Sequence, residues 1–240
     1  MVTVTRPFKS SAAYYARYRP GYPAELIGRL AEATGVTRES RVLDLGCGPG
    51  TIAIPMAAHA GEVVAIDREP EMIAELTAPP NVRALVASAE DVGESWGSFQ
   101  LVTAGRSFHW FDAELVLDRL STMTPTVALL GDHLHESEAR MRMLAIAAEI
   151  VGRPTTRTKA FDYAETLRAS AFSDVELLSV TIEHVWTPDE LISVAYSMSV
   201  ASPELLGDRR AEFEERVRTE LAGEHREVRK SDAVVGRLST

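Results

Sequence analysis

Arg41-Val-Leu-Asp-Leu-Gly-Cys-Gly-Pro-Gly50 reads as an apolar strand that runs into three glycines at alternate positions, with a helix expected from Thr51. Glycine reaches positive φ without a Cβ penalty, so residues 46, 48 and 50 let the chain turn sharply and bring backbone N–H groups against a ligand. The next apolar run, Glu62-Val-Val-Ala-Ile-Asp67, closes on a carboxylate. It falls at the distance where a nucleotide-binding βαβ unit places its acceptor for ribose hydroxyls. The stretch therefore predicts a loop that holds a ribose-bearing cofactor on a parallel α/β sheet.

On either side the pattern alternates. Strands are expected at residues 42–45, 63–66, 82–86, 101–104 and 126–130, and crossover helices at 51–60, 70–76 and 112–123. A helix over 23–34 precedes them, with Pro23 suited to its first turn and Leu26, Ile27, Leu30 and Ala33 at helical spacing. This is a doubly wound α/β pattern, in which ligands sit beyond the carboxyl ends of the strands where the strand order reverses. Gly46 to Gly50 and Asp67 fall there. After the fifth strand a Met- and Ala-rich helix over 136–151, closed by Gly152 and Pro154, interrupts the order as an insertion. A helix end then passes into a strand running to about residue 186. Helices near 188–198 and 203–221 follow, and 226–238 could supply a last strand.

With 240 residues, 45% of them hydrophobic, the chain can bury one sizeable core, so a single domain with insertions is expected. Cys47 is its one cysteine, which excludes an internal disulfide framework, and no charged-then-apolar leader opens the sequence. A soluble, cytoplasmic protein is expected. The formal net charge of −10 opposes attraction to nucleic-acid phosphates or anionic membrane, so neither partner is expected. Lysine occurs only at Lys9, Lys159 and Lys230 against many arginines, which reads as compositional bias.

The arrangement Asp44-x-Gly46-x-Gly48-x-Gly50, with the acid first and glycines at period two, resembles motif I of class I S-adenosylmethionine-dependent methyltransferases. The resemblance implies a Rossmann-like, seven-stranded, mostly parallel sheet with a helical insertion as substrate cap. It also implies S-adenosylmethionine as cofactor. The glycine loop, with Cys47, would pack against its methionine half, Asp44 would lie near its amino group, and Asp67, flanked by Arg68 and Met72, would hold both ribose hydroxyls. Ala87-Ser-Ala-Glu-Asp91 stands where the family commonly has Asp-Ala-Glu. Ser88 replaces the acid that accepts from the adenine amino group. A hydroxyl can still accept that bond, Ala89 can offer its N–H to a ring nitrogen, and Glu90 completes the segment.

Phe99-Gln-Leu-Val-Thr-Ala-Gly-Arg-Ser-Phe-His109-Trp110-Phe-Asp112 resembles motif IV of the small-molecule branch that includes trans-aconitate methyltransferase-like proteins. Gln100 departs from its usual Asp and Arg106 from its frequent Gln. Arg106 would lie at the mouth of the fourth strand, beside cofactor and substrate alike. His109 reads either as a general base or as a residue that positions Trp110, a candidate substrate contact. Tyr14-Tyr15-Ala-Arg-Tyr18-Arg19-Pro20-Gly-Tyr22-Pro23 resembles the N-terminal Tyr-x-x-x-Arg-Pro-x-Tyr-Pro segment of the same branch. As a lid over residues 1–22, it would use Tyr14 and Tyr18 toward substrate and Tyr15 and Arg19 toward cofactor.

Asp132-His-Leu-His135-Glu136 follows the fifth strand, and His133 or His135 could contact or deprotonate an acceptor. His-x-His alone is a weak metal signal, and no metal is expected. The resemblance then divides the domain into a cofactor-binding core over 23–132 and helical caps over 133–165 and 187–222. The expected activity is methyl transfer to oxygen or nitrogen of a small molecule, as in tailoring of a natural product such as a sugar, amino sugar or aromatic. A carboxylate methyltransferase of trans-aconitate type, with Arg106 and Arg140 binding acid, and a non-catalytic cofactor-binding protein are the alternatives. A monomer or homodimer fits either.

Overall fold

The computed structural model describes residues 11–133, 137–152, 161–198 and 200–239. In chain order the helices and strands are α1 (Ala12–Tyr18), α2 (Ala24–Ala33), β1 (Arg41–Leu45), α3 (Ala53–Met56), β2 (Glu62–Asp67), α4 (Pro70–Ala74), β3 (Val82–Val86), β4 (Leu101–Gly105), α5 (Ala113–Ser121), β5 (Thr126–His133), α6 (Glu138–Val151), α7 (Tyr163–Arg168), β6 (Asp174–Trp186), α8 (Pro188–Tyr196), α9 (Pro203–Leu206), α10 (Arg210–Glu220) and β7 (His225–Arg237).

The strands form one seven-stranded sheet in the order β3-β2-β1-β4-β5-β7-β6. The first five strands pair in parallel. From β1 the chain winds outward through β2 to β3, then returns to the other side of β1 as β4. The order therefore reverses between β1 and β4, the switch point that the sequence pattern implies. Register aligns the carboxyl ends there, with Leu45 opposite both Ile66 and Ala104. Because both faces of these strands are covered, β1, β2 and β4 are almost continuously apolar, as buried parallel strands must be. Besides Arg41, Glu62 and Asp67 at the strand ends, the polar exceptions are Asp44 and Thr103, and the register sets these two side by side.

The chain forms two compact units. One comprises the described residues within Met1–Pro20, His133–Ala160 and Thr181–Arg229, the other those within Gly21–Asp132, Phe161–Val180 and Lys230–Thr240. The second carries the α/β core, where Leu43, Leu45, Ile66, Val102 and Leu129 pack with Phe108, Leu167 and Phe172. The first is mainly helical. Met143, Ile146 and Ala147 of α6 meet Leu191 and Ala195 of α8, Phe213 and Val217 of α10, and Trp186. Caps fix these helices. Ser137 accepts the Arg140 N–H at the start of α6, Gly152 closes that helix at φ 70, and Thr187 with Glu190 forms a reciprocal capping box on α8. Among the described residues no helix is long and apolar enough to cross a membrane.

Local departures from the sequence reading have physical causes. The N-terminal arm contains a helix, α1. The expected helix over 51–60 contracts to α3, after which the chain tightens into i→i+3 turns, Ala58 N–H to Pro55 and His59 N–H to Met56. The crossover from β3 to β4 is made only of two 3₁₀ turns. The helix expected over 203–221 breaks at Gly207, whose φ of 52 no helical residue adopts, into α9 and α10.

Candidate functional site

The glycine loop lies at the carboxyl end of β1 with Gly46 at φ 59, Gly48 at φ 55 and Gly50 at φ 92. At Gly46 space is as restrictive as conformation. A Cβ there would fall 2.6 Å from the Ser107 Cβ and 2.8 Å from its hydroxyl oxygen. That hydroxyl in turn donates to the Leu45 carbonyl at 3.0 Å. The two strand ends at the switch point are thus in contact only because residue 46 has no side chain.

Asp67 fastens the loop to β2. One carboxylate oxygen accepts the Gly48 N–H at 2.9 Å and the other accepts the Glu69 N–H at 2.9 Å. Each oxygen of an ionised carboxylate offers about two acceptor directions, so a second remains on each. Burial raises the Asp67 pKa, while the Glu69 and Gly48 N–H bonds pull it back toward the ionised form.

Asp44 is wholly buried. It accepts from the Thr103 hydroxyl at 2.8 Å and from the Ala53 N–H at 3.2 Å, the latter tying it to the first turn of α3. Burial nevertheless pushes its pKa up to about 7. Burial also raises the Cys47 thiol, with Asp44 and Asp67 adding to the effect. The thiol therefore stays protonated and serves as packing rather than as a nucleophile. Met72 is buried in α4, and Arg68 is exposed with its guanidinium 3.5 Å from Glu69.

Beyond β3 the Ser88 hydroxyl donates to Glu90, whose other oxygen accepts the Asp112 N–H at 3.1 Å. Partial burial would raise the Glu90 carboxyl, but the Ser88 hydroxyl and Asp112 N–H bring it below its ordinary value. With its proton committed to Glu90, the Ser88 oxygen presents lone pairs only. Ala89, beside it, is buried.

Arg106, just past β4, has φ 57 and is the only non-glycine residue at positive φ among those described. Its N–H donates to the Leu130 carbonyl at 3.0 Å, and its guanidinium lies 3.0 Å from Asp132 and 4.8 Å from the centre of the Tyr22 ring. Asp132 also accepts from the Ser231 hydroxyl at 2.6 Å, and the Tyr22 hydroxyl donates to the Leu130 carbonyl at 3.1 Å. The Phe108–Trp110 turn follows, anchored by buried Phe108 and leaving His109 and Trp110 exposed with ring centres 5.2 Å apart. Protein around the His109 ring nonetheless lowers its pKa by desolvation, keeping the imidazole neutral at neutral pH.

The remaining sequence candidates belong to the helical unit. Tyr14 stacks on Tyr18 at 6.2 Å and meets Tyr196 edge-on at 5.2 Å. The Arg19 guanidinium lies 5.6 Å from the Tyr15 ring, and Arg140 is buried with its guanidinium 5.3 Å from the Trp186 ring. The His133 side chain and His135 lie outside the described residues. Among the described residues no cluster of metal-ligating side chains occurs. Thr103 and Ser107 were not singled out by sequence reasoning. Their signal is a hydroxyl in an apolar strand at the register of Asp44, and a small polar residue after Gly105-Arg106.

Comparison with known proteins agrees with this geometry. Residues 42–126 match a family described as a methyltransferase domain. An uncharacterized methyltransferase of Mycobacterium tuberculosis is 29% identical over 199 residues, covering 82% of this chain and 79% of the relative. A ubiquinone biosynthesis O-methyltransferase of Xanthomonas campestris is 31% identical over 122 residues, 48% of this chain and 51% of that one. Among solved structures, a methyltransferase described as from an antibiotic biosynthesis pathway of Anabaena variabilis superposes with a TM-score of 0.65 at 15% identity, covering 90% of this chain and 98% of that one. A type II methyltransferase of Anaeromyxobacter dehalogenans gives 0.58 at 20% identity, with coverages of 92% and 98%. Residues 42–126 thus match a methyltransferase domain, the seven-stranded sheet has the class I methyltransferase fold, and family and fold together support a methyltransferase that uses S-adenosylmethionine as its methyl donor.

Proposed function

We propose that the protein transfers the methyl group of S-adenosylmethionine to an oxygen or nitrogen of a small molecule, in the tailoring of a natural product. The observation that carries the cofactor assignment is the Asp67 carboxylate, fixed by the Gly48 and Glu69 N–H groups with one acceptor direction left on each oxygen. Two free acceptor directions on one rigid carboxylate suit the two hydroxyls of a ribose. The Gly46 to Gly50 loop would face the methionine half, with Asp44 beneath it. Ser88, its proton held by Glu90, would accept from the adenine amino group, with the Ala89 N–H beside it.

S-adenosylmethionine supplies an electrophilic methyl on a sulfonium. The protein's own task is alignment and exclusion of water, so proximity and orientation carry the rate and no catalytic triad is needed. His109, neutral and exposed, is the described side chain suited to accept a proton from a hydroxyl acceptor. An amine acceptor needs only its neutral form. The O-methyltransferase relative supports the oxygen reading. Against a carboxylate acceptor held by Arg106 stands the Asp132 carboxylate, already 3.0 Å from that guanidinium.

The reading is tested by a methyl-transfer screen over phenols, sugars, amines and organic acids, read by mass spectrometry of the products. Methylation in the first three groups supports it. Turnover confined to the acids would replace it with the trans-aconitate type, and cofactor binding without any turnover would indicate a non-catalytic binding protein.

A further inference from the structure

Within the α/β unit a run of aromatic rings crosses the carboxyl ends of β1, β4 and β5, beside the glycine loop. Phe108, wholly buried, meets Phe111 edge-on at 5.6 Å and Phe161 edge-on at 6.1 Å, and Phe161 meets Tyr163 at 5.6 Å. Two glycines make room for these rings. A Cβ at Gly46 would stand 3.1 Å from the Phe111 ring. One at Gly131, the residue after the Leu130 that pairs with the end of β4, would stand 3.2 Å from the Tyr163 ring. Phe111 and Tyr163 are partly buried against the core, whereas Phe161 is 40% exposed. A lone exposed apolar side chain is ordinary, but this one is fixed by two aromatic neighbours at the sheet edge that carries the cofactor loop. The exposed part of one phenylalanine is far smaller than the roughly 800 Å² per partner of a stable protein interface, so it suits a small molecule.

We propose that Phe161, oriented by Phe108 and Tyr163, is the specificity-determining contact for the ring of an aromatic methyl acceptor, a neutral phenol. The chemistry of the rings selects this ligand. The face of an aromatic ring is negative and its edge positive, so two rings attract in offset or edge-to-face geometry, which a saturated ring of the same size does not share. A carboxylate is repelled by the ring face. An ammonium is drawn to it, yet a nitrogen accepts methyl only when unprotonated, and that form has lost the attraction. A sugar can lay a C–H face on one ring, but its hydroxyls would then meet apolar neighbours instead of hydrogen-bond partners. A phenol carries a single polar atom, and His109, the residue after Phe108, supplies a neutral imidazole suited to a hydroxyl. Phe161 orients the ring and touches no reacting atom. That the aromatic ligand is the methyl acceptor rests on the methyl-transfer reading, whereas the preference of Phe161 for an aromatic ring does not.

The test is a titration of ¹⁵N-labelled protein with p-cresol, with 4-methylcyclohexanol as a saturated ring of similar shape, and with glucose, following the backbone amide resonances of Phe161 and its chain neighbours. p-Cresol is expected to bind saturably and about two- to tenfold tighter than 4-methylcyclohexanol, the gain an aromatic pair adds beyond the apolar area it buries. Phe161→Leu, which keeps an apolar side chain, is expected to erase that difference, and Phe161→Tyr to retain it. A merely structural role for Phe161 would leave the preference intact in Phe161→Leu. No saturable shift with p-cresol, equal affinity for the two ring probes, tighter binding of glucose, or an unchanged preference in Phe161→Leu would overturn the proposal. Because the titration uses neither cofactor nor turnover, its failure leaves the methyl-transfer reading standing. Methylation of sugars or amines without any methylation of phenols would overturn the assignment of the aromatic ligand as acceptor while bearing out methyl transfer itself.

Discussion

At the residue scale the account turns on Asp67, Gly48 and Asp44. Asp67→Ala should reduce affinity for S-adenosylmethionine by roughly 100-fold, the effect of losing two charge-assisted hydrogen bonds worth about 1.5–3 kcal/mol each once partly compensated by water. It should also lower stability by about 1–3 kcal/mol, because the Gly48 and Glu69 N–H groups lose their acceptor. Calorimetric titration and urea denaturation separate the two effects. Gly48→Val places a β-branched residue at φ 55 and should disable the loop while the rest of the fold persists, checked by circular dichroism alongside binding. Asp44 predicts a pH dependence. Its folded-state pKa of about 7 lies above the ordinary 3.8, so the folded protein holds a proton that the unfolded chain has released. Its contribution to stability is therefore complete below about pH 4 and is lost as the pH rises to about 7. The thermal midpoint of the cofactor-free protein should fall across that window, and Asp44→Asn should flatten the fall. A wild-type midpoint that rises there relative to Asp44→Asn would contradict the burial argument. The loop residues were legible because each rests on a local rule, glycine for turns and an acid at a strand end. Thr103 and Ser107 were not, because their importance lies in partners across the sheet, Asp44 and Gly46, that local spacing does not reveal.

At the element scale, β4, β5 and β7 are joined at one place by Arg106, Asp132 and Ser231. Removing one partner of a buried ion pair strands the other charge. Asp132→Ala should therefore destabilise the protein by about 3–5 kcal/mol, and Asp132→Asn by less, as measured by denaturant unfolding. An effect below 1 kcal/mol for Asp132→Ala would mean that the pair does not hold these strand ends, against the roughly 0–1 kcal/mol expected of an exposed bridge. The parallel strands were legible because burial on both faces demands unbroken apolar runs, as in Val42 to Leu45. Helix α1 was not. It is seven residues long, too short to be stable by propensity, and its Tyr14 makes an edge contact with Tyr196, far along the chain. The break at Gly207 was likewise invisible to periodicity, since apolar spacing continues through Phe213 and Val217 on the far side.

At the scale of the whole molecule, the strand order and the switch point follow from the alternation of elements and the position of the glycine loop, which is why fold and class could be read from the sequence. The acceptor could not. Methyl transfer from a sulfonium needs alignment more than dedicated acid–base machinery, so no motif need record which atom is methylated.

The central claim, that the loop at residues 46–50 and Asp67 hold S-adenosylmethionine, is tested most directly by calorimetric titration of S-adenosylmethionine and S-adenosylhomocysteine into wild-type protein and Asp67→Ala. The account predicts micromolar binding of both to the wild type and a loss of roughly 100-fold in the variant, in proportion to the hydrogen bonds removed. No binding to the folded wild-type protein, or equal binding by the variant, would contradict it.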